Sequence, residues 1–222
     1  MLFRSDFGST MIICLLCAVM LFLSGIRWSW IFSLGGVMGM AGALLVALEP
    51  YRMKRVAGFT DPCADPAEGG YQVCQSLVAL HNGGIWGQGL GNGQAKLLYL
   101  PEPYNDFIVA VVGEELGLWG MGLLMGLYAL FAWRALKMAS KLQDPIATIL
   151  AGTLTTAIVG QACLNLGVAM SVLPPKGLVL PFLSYGNSAM MVNLTAVGIL
   201  LSISAEPKQE EEKEAAPAGV PA

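Results

Sequence analysis

Asp106-Phe107-Ile108-Val109-Ala110-Val111-Val112-Gly113-Glu114-Glu115-Leu116-Gly117-Leu118-Trp119-Gly120 opens the apolar run that decides the class of this protein. From Phe107 the run continues to about residue 134, and Glu114 and Glu115 are the only charges before Arg134. A helix crosses a bilayer in roughly 20 apolar residues, so this run is long enough to span one. Similar blocks lie at about 9–26, 29–48, 146–170 and 188–204. Together they predict an all-α, polytopic membrane protein of five spans. The first block follows Arg4-Ser5-Asp6 and has no small-residue cleavage site leading into a soluble domain, so it reads as a span and not a signal peptide.

Composition agrees. The chain has 222 residues, 55% hydrophobic and 12% charged, with a mean hydropathy of +0.64. Soluble domains carry about twice that charged fraction. A net charge of −3 gives no basic footprint for nucleic acid. The acidity gathers in the segment 206–222, which is Glu/Lys-rich and then Ala/Pro-rich. It reads as a disordered tail behind a membrane domain at 1–205.

Arg134, Lys137 and Lys141 follow the third span, which argues for a cytoplasmic loop. The turn at Arg27 and the C-terminal tail then share that side, and the loops at 49–106 and 171–187 face outward. Arg52, Lys54 and Arg55 oppose this bias, because they sit at the outer end of the second span. The small-residue pairs Gly35/Gly39, Gly113/Gly117 and Gly122/Gly126 have helix-packing spacing and read as ordinary close contacts.

The 49–106 loop is far longer than any other. Loops of that length are usually functional or disordered, and its Tyr, Trp and Leu content argues against disorder. It is expected to fold back on the membrane surface, with a helix over 72–80 dipping in. Its stretch Gly83-Gly84-Ile85-Trp86-Gly87-Gln88-Gly89-Leu90-Gly91 lacks a preceding strand. It fits a close-packed turn better than a phosphate cradle. Cys63 and Cys74 share this loop and either pair or stay free. Cys14 and Cys17 form a CxxC inside an apolar helix, where cysteines behave as small hydrophobes.

Asp106 stands at the outer mouth of the third span. Partial desolvation there suits a general base, and the position equally suits a helix N-cap. Glu114 lies about 12 Å further along a continuous helix. It and Glu115 read as a buried polar network, since carboxylates within a span turn inward. Lys176 is the only cation of the 171–187 loop. His81, the only histidine, reads as a loop residue without catalytic partners.

Five segments, taken in order, resemble the FtsW/RodA/SpoVE (SEDS) family: EPYRMKRV (49–56), GYQVCQSLVA (70–79), GQGLGNGQAKLLYLPE (87–102), DFIVAVVGEELG (106–117) and LPPKGLVLPFLSYG (173–186). The resemblance runs from Asp6 to about Ile203 and is closer to the FtsW division branch than to the RodA elongation branch. It implies the C-terminal half of a ten-helix fold. It also implies an inverting peptidoglycan glycosyltransferase that polymerises lipid II in the bacterial plasma membrane at the division septum. The alternatives are a lipid II flippase or a non-catalytic divisome scaffold.

By this resemblance Asp106 is the catalytic base. Arg52, Lys54, Arg55 and Lys176 become candidates for the substrate diphosphate. Lys96, Glu102, Gln75 and Ser184, within the matching segments, join them for diphosphate or sugar. The family also implies room for a divalent cation, Mg or Mn. Its implied partners are a class B penicillin-binding transpeptidase and other divisome proteins. Two departures stand out. The five N-terminal spans have no counterpart here, so the chain is expected to be part of a longer protein. Gly186-Asn187 stands where the family usually has Gly-Gly.

Overall fold

The computed structural model describes residues 7–27, 29, 30, 33, 35–37, 39, 40, 63, 70–93, 105–173 and 177–215. Among them every regular element is a helix: α1 (Phe7–Leu23), α2 (Gly70–Gly83), α3 (Ile108–Ala139), α4 (Pro145–Ala169) and α5 (Asn187–Ala215). Between α1 and α2 the described positions from 29 to 40 are also helical, and the rest of the expected second span lies outside the described residues. Among the described residues three helices are long and apolar enough to cross a membrane: Ile108–Ala139, Pro145–Ala169 and Asn187–Ala205.

Asp144 shows how α4 begins. Its carboxylate accepts the N–H of Ile146 at 3.0 Å and of Ala147 at 3.2 Å, and Pro145 follows at a position whose N–H needs no partner. Within α4, Thr153, Thr155 and Thr156 return their hydroxyls to carbonyls one turn earlier, at 2.7, 2.7 and 2.8 Å. That satisfies polar groups locally in a span where lipid offers no partner.

The helices meet along small residues. Gly152 of α4 takes the Leu23 side chain of α1 directly against its Cα. Val109, Met121, Leu124 and Tyr128 of α3 pack with Ile158, Ala162 and Ala169 of α4, and Ala196 of α5 joins them. Nearer the other end, Ala139, Ala151 and Leu200 form a second cluster. Between helices in lipid such contacts stabilise through dispersion and fit more than through release of water.

The third span departs from its expected form. A continuous helix over about 107–134 is replaced by two helices joined at Gly117, whose φ of 66° and ψ of −160° are not helical. A side chain at Gly113 would touch Met121 Cγ and Sδ at 3.6 Å. Those residues would lie about 12 Å apart along a straight helix, so the chain folds back at Gly117. Residues 118–139 then make the crossing, roughly 33 Å at 1.5 Å per residue. Exposed Trp119 stands near one end of that segment. Exposed Trp133 stands near the other, with Lys137 5.1 Å and Arg134 5.7 Å from its ring. Tryptophan near both ends is the arrangement of interfacial belts.

Two further expectations are refined. A helix is present where one was expected at 72–80, and it extends over Gly70–Gly83. The disorder expected over 206–222 gives way to helix as far as Ala215, in a stretch of Glu, Lys and Ala with high helix propensity.

Candidate functional site

Four segments converge at Asp106: α2, the entry to α3, the C-terminal end of α4, and the irregular stretch 177–186. Val73 and Ala79 of α2 pack with Phe107, Ala110 and Val111 of α3 and Val168 of α4. Ser76, fully buried, donates its hydroxyl to the Ala169 carbonyl at 2.8 Å and ties α2 to the last turn of α4. Cys63 and Cys74 form a disulfide, which ties Cys63 to α2.

Asp106 is half-buried. The N-cap position of α3 falls on Phe107, which has no capping side chain, so Asp106 stands one position outside the helix. Its carboxylate lies over Gly177, where an added Cβ would sit 2.9 Å from Oδ2. The backbone beneath it is held at two successive carbonyls. Asn165 Nδ2 donates to the Asp106 carbonyl at 2.9 Å and also to the Leu178 carbonyl. Ser184 Oγ donates to the Asn105 carbonyl at 2.5 Å. It also accepts the Leu180 N–H at 2.7 Å.

The 177–186 stretch is irregular backbone placed among membrane helices, where unpaired carbonyls are costly. Side chains from the helices satisfy it. Besides Asn165, Gln161 Nε2 donates to Val179 O at 2.9 Å and Tyr128 Oη donates to Pro181 O at 2.5 Å. Phe182, in the left-handed region at φ 67°, bends the chain between these anchors. Gln161 and Asn165 are one helical turn apart and face the same way. Neither they nor Tyr128 and Asn105 were singled out from sequence. The available signal was two amides four residues apart inside an apolar run.

Glu114 and Glu115 sit elsewhere than a straight span would put them. They end the short helix just before Gly117, instead of lying partway down the crossing segment. Glu114 is 1% exposed. Both carboxylates crowd Gly93, where an added Cβ would meet Glu114 Oε2 at 2.8 Å and Glu115 Oε1 at 3.3 Å. The carbonyls left free by the break accept from the glycine-rich stretch: Gln88 N to Glu114 O at 2.9 Å and Gly89 N to Glu115 O at 3.0 Å. In return Leu118 N donates to Gly84 O at 3.0 Å. The stretch is thus a close-packed turn, as expected.

Of the other expected site residues, Gln75 is half-buried on α2 beside Ser76. Ser184 is buried with both its donor and acceptor roles engaged by backbone, so its part here is to hold Asn105 and Leu180. His81 is exposed in the last turn of α2. Arg52, Lys54, Arg55, Lys96, Glu102 and Lys176 lie outside the described residues. Among the described residues no three of His, Cys, Asp or Glu gather as ligands for a cation.

The family model described as "Cell cycle protein", FtsW/RodA/SpoVE, matches residues 1–209. The chain belongs to the FtsW/RodA/SpoVE family. It is 43% identical over 209 residues to the probable peptidoglycan glycosyltransferase FtsW of Halothiobacillus neapolitanus, covering 93% of this chain and 50% of that protein. It is 40% identical over 217 residues to the protein of that name from Halomonas elongata, covering 96% of this chain and 55% of that protein. The chain therefore spans about half the length of these curated relatives. Among solved structures, it matches a chain from work on the coordination of polymerization and crosslinking by a peptidoglycan synthase complex. The TM-score there is 0.72 at 27% identity, over 92% of this chain and 57% of that one. A mutant of the rod shape determining protein RodA from Thermus thermophilus matches with a TM-score of 0.60 at 22% identity, over 91% of this chain and 51% of that one. That second likeness concerns the fold.

Proposed function

We propose that this FtsW/RodA/SpoVE-family chain carries the catalytic carboxylate of a peptidoglycan glycosyltransferase that polymerises lipid II during septal wall synthesis. The observation that carries the reading is Asp106: a half-buried carboxylate over Gly177, with its own carbonyl and that of Asn105 held by Asn165 and Ser184. A base held in place by its surroundings loses little in reorganisation when the reaction proceeds.

In this reading the 4-hydroxyl of one lipid-linked disaccharide attacks the anomeric carbon of the growing strand. A new C–O bond forms there as the bond to the diphosphate oxygen breaks, with inversion. The hydroxyl proton passes to the Asp106 carboxylate, and undecaprenyl diphosphate leaves with the electron pair. Arg52, Lys54, Arg55 and Lys176 are assigned to the leaving diphosphate, and Lys96, Glu102 and Gln75 to diphosphate or sugar. Ser184 acts on the site through Asn105. If a cation takes part, it would supply charge stabilisation on the diphosphate beside those groups.

The membrane domain is assigned to residues 1–205, with its 49–106 loop outside the cell and its C-terminus in the cytoplasm. The Cys63–Cys74 disulfide supports that side for the loop, because such bonds persist in oxidising compartments. The cations Arg134, Lys137 and Lys141 support the opposite side for the far end of α3. The partner in this reading is a class B penicillin-binding transpeptidase, which the synthase-complex likeness favours.

The test is polymerisation of labelled lipid II by the complete polypeptide as the cell makes it, together with its transpeptidase. Asp106→Ala should lower turnover by at least about 100-fold, the usual scale for a general base. Normal glycan strands from Asp106→Ala would remove the assignment.

A further inference from the structure

We infer that Asn165 is the positioning residue for Asp106, acting through the main chain and not through the carboxylate. Asn165 lies on α4, a turn before the last residue of that helix, Ala169. It is 1% exposed, and its side chain reaches two segments far apart in sequence. One amide nitrogen carries two hydrogens, and here each has a carbonyl to serve: Asp106 O at 2.9 Å and Leu178 O. Since both partners are acceptors, the nitrogen must face them, and the orientation of the amide is fixed by chemistry.

The other end of the same amide sharpens the point. Asn165 Oδ1 is buried and has no hydrogen-bond partner among the described residues. A buried acceptor without a donor is unfavourable, and an apolar residue would avoid it. The site therefore holds an amide for its two donated bonds alone. Those bonds join the residue that carries the carboxylate to the residue after Gly177, the surface on which that carboxylate rests. With Asn165 in place, the carboxylate and its floor move as one body attached to a membrane-spanning helix. Ser184 fixes the carbonyl of the neighbouring Asn105, so the Asp106 backbone is left little freedom to swing. The catalytic part of this inference rests on Asp106 being the base, while the geometric part does not.

Two measurements on the complete polypeptide separate the parts. In the first, Asn165→Ala is assayed for lipid II polymerisation beside wild type and Asp106→Ala. Misplacing a base by an ångström costs up to about 100-fold, so kcat should fall about ten- to hundred-fold. The KM for lipid II should stay within about two-fold, because substrate contacts are untouched. In the second, Asp106→Cys and Gly177→Cys are combined on a Cys14→Ser, Cys17→Ser, Cys163→Ser background, and the rate of oxidative crosslinking is followed. Adding Asn165→Ala should slow that crosslink several-fold. Asn165→Leu, of similar shape and without any donor hydrogen, should match Asn165→Ala in both measurements and serves where alanine lowers the yield of folded protein. An unchanged crosslinking rate overturns the inference whatever happens to activity. So does an unchanged kcat for Asn165→Ala while Asp106→Ala is inactive. If Asp106→Ala polymerises normally, the base assignment falls, and the crosslinking rate still decides whether Asn165 fixes this geometry.

Discussion

Two irregular stretches enter the helical frame of this protein, and they are held by opposite means. The glycine-rich stretch 83–93 is fastened backbone to backbone, through Gln88 N and Gly89 N on the carbonyls before the α3 break and Leu118 N on Gly84 O. The 177–186 stretch is fastened by side chains, with Asn165, Gln161 and Tyr128 reaching its carbonyls and Ser184 bridging to Asn105. The first depends on side chains being absent and the second on particular side chains being present. Substitution should therefore damage the first by adding atoms and the second by removing them.

The largest effect is expected at Gly117. Its φ of 66° suits glycine alone, and a Cβ would press on Gly87 N and sit 2.6 Å from Ile85 O. Gly117→Val should cost about 3 kcal/mol or more, combining strain in the left-handed region with a backbone clash. Thermal unfolding in detergent should show the folded fraction lost. A mild outcome would mean the bend is not held by close backbone contact.

Ser184→Ala comes next. It leaves Leu180 N without its acceptor and Asn105 O without its donor, so about 2 kcal/mol should be lost at roughly 1 kcal/mol per bond. Equilibrium unfolding should report it. Tyr128→Phe removes only the bond to Pro181 O and keeps the ring in its cluster. About 0.5–1 kcal/mol is expected, in line with hydrogen bonds between membrane helices. If Tyr128→Phe proved as severe as Gly117→Val, the contrast between the two stretches would collapse.

Much of the frame was legible because its signals are local. Apolar run length gave the helices at Pro145–Ala169 and Asn187–Ala205 to within a residue or two. The α2 helix could be placed because its apolar and polar residues sit in one short window between turn signals. Asp106 stood out by position as well as by resemblance. The fold-back at Gly117 was hidden, since glycine is common in membrane helices and the apolar run resumes directly beyond it. Its cause is the partner stretch at Gly84–Gly89, which no local pattern reveals. Asn165 was hidden for the same reason: its value lies in Asp106 and Leu178, and only the folded chain brings both to it.

The bond from Leu118 N to Gly84 O has a consequence for how this part of the molecule changes over generations. It brings together the two ends of a long excursion that contains Asp106. A loop whose ends already touch can be lengthened at little thermodynamic cost, about 0.6 kcal/mol for each doubling of its length. Asp106 and Val109 inside the excursion are themselves held by α4, so changes of length are tolerated between these anchors and not through them. The chain can thus vary in length between its fixed points while the membrane scaffold stays in register.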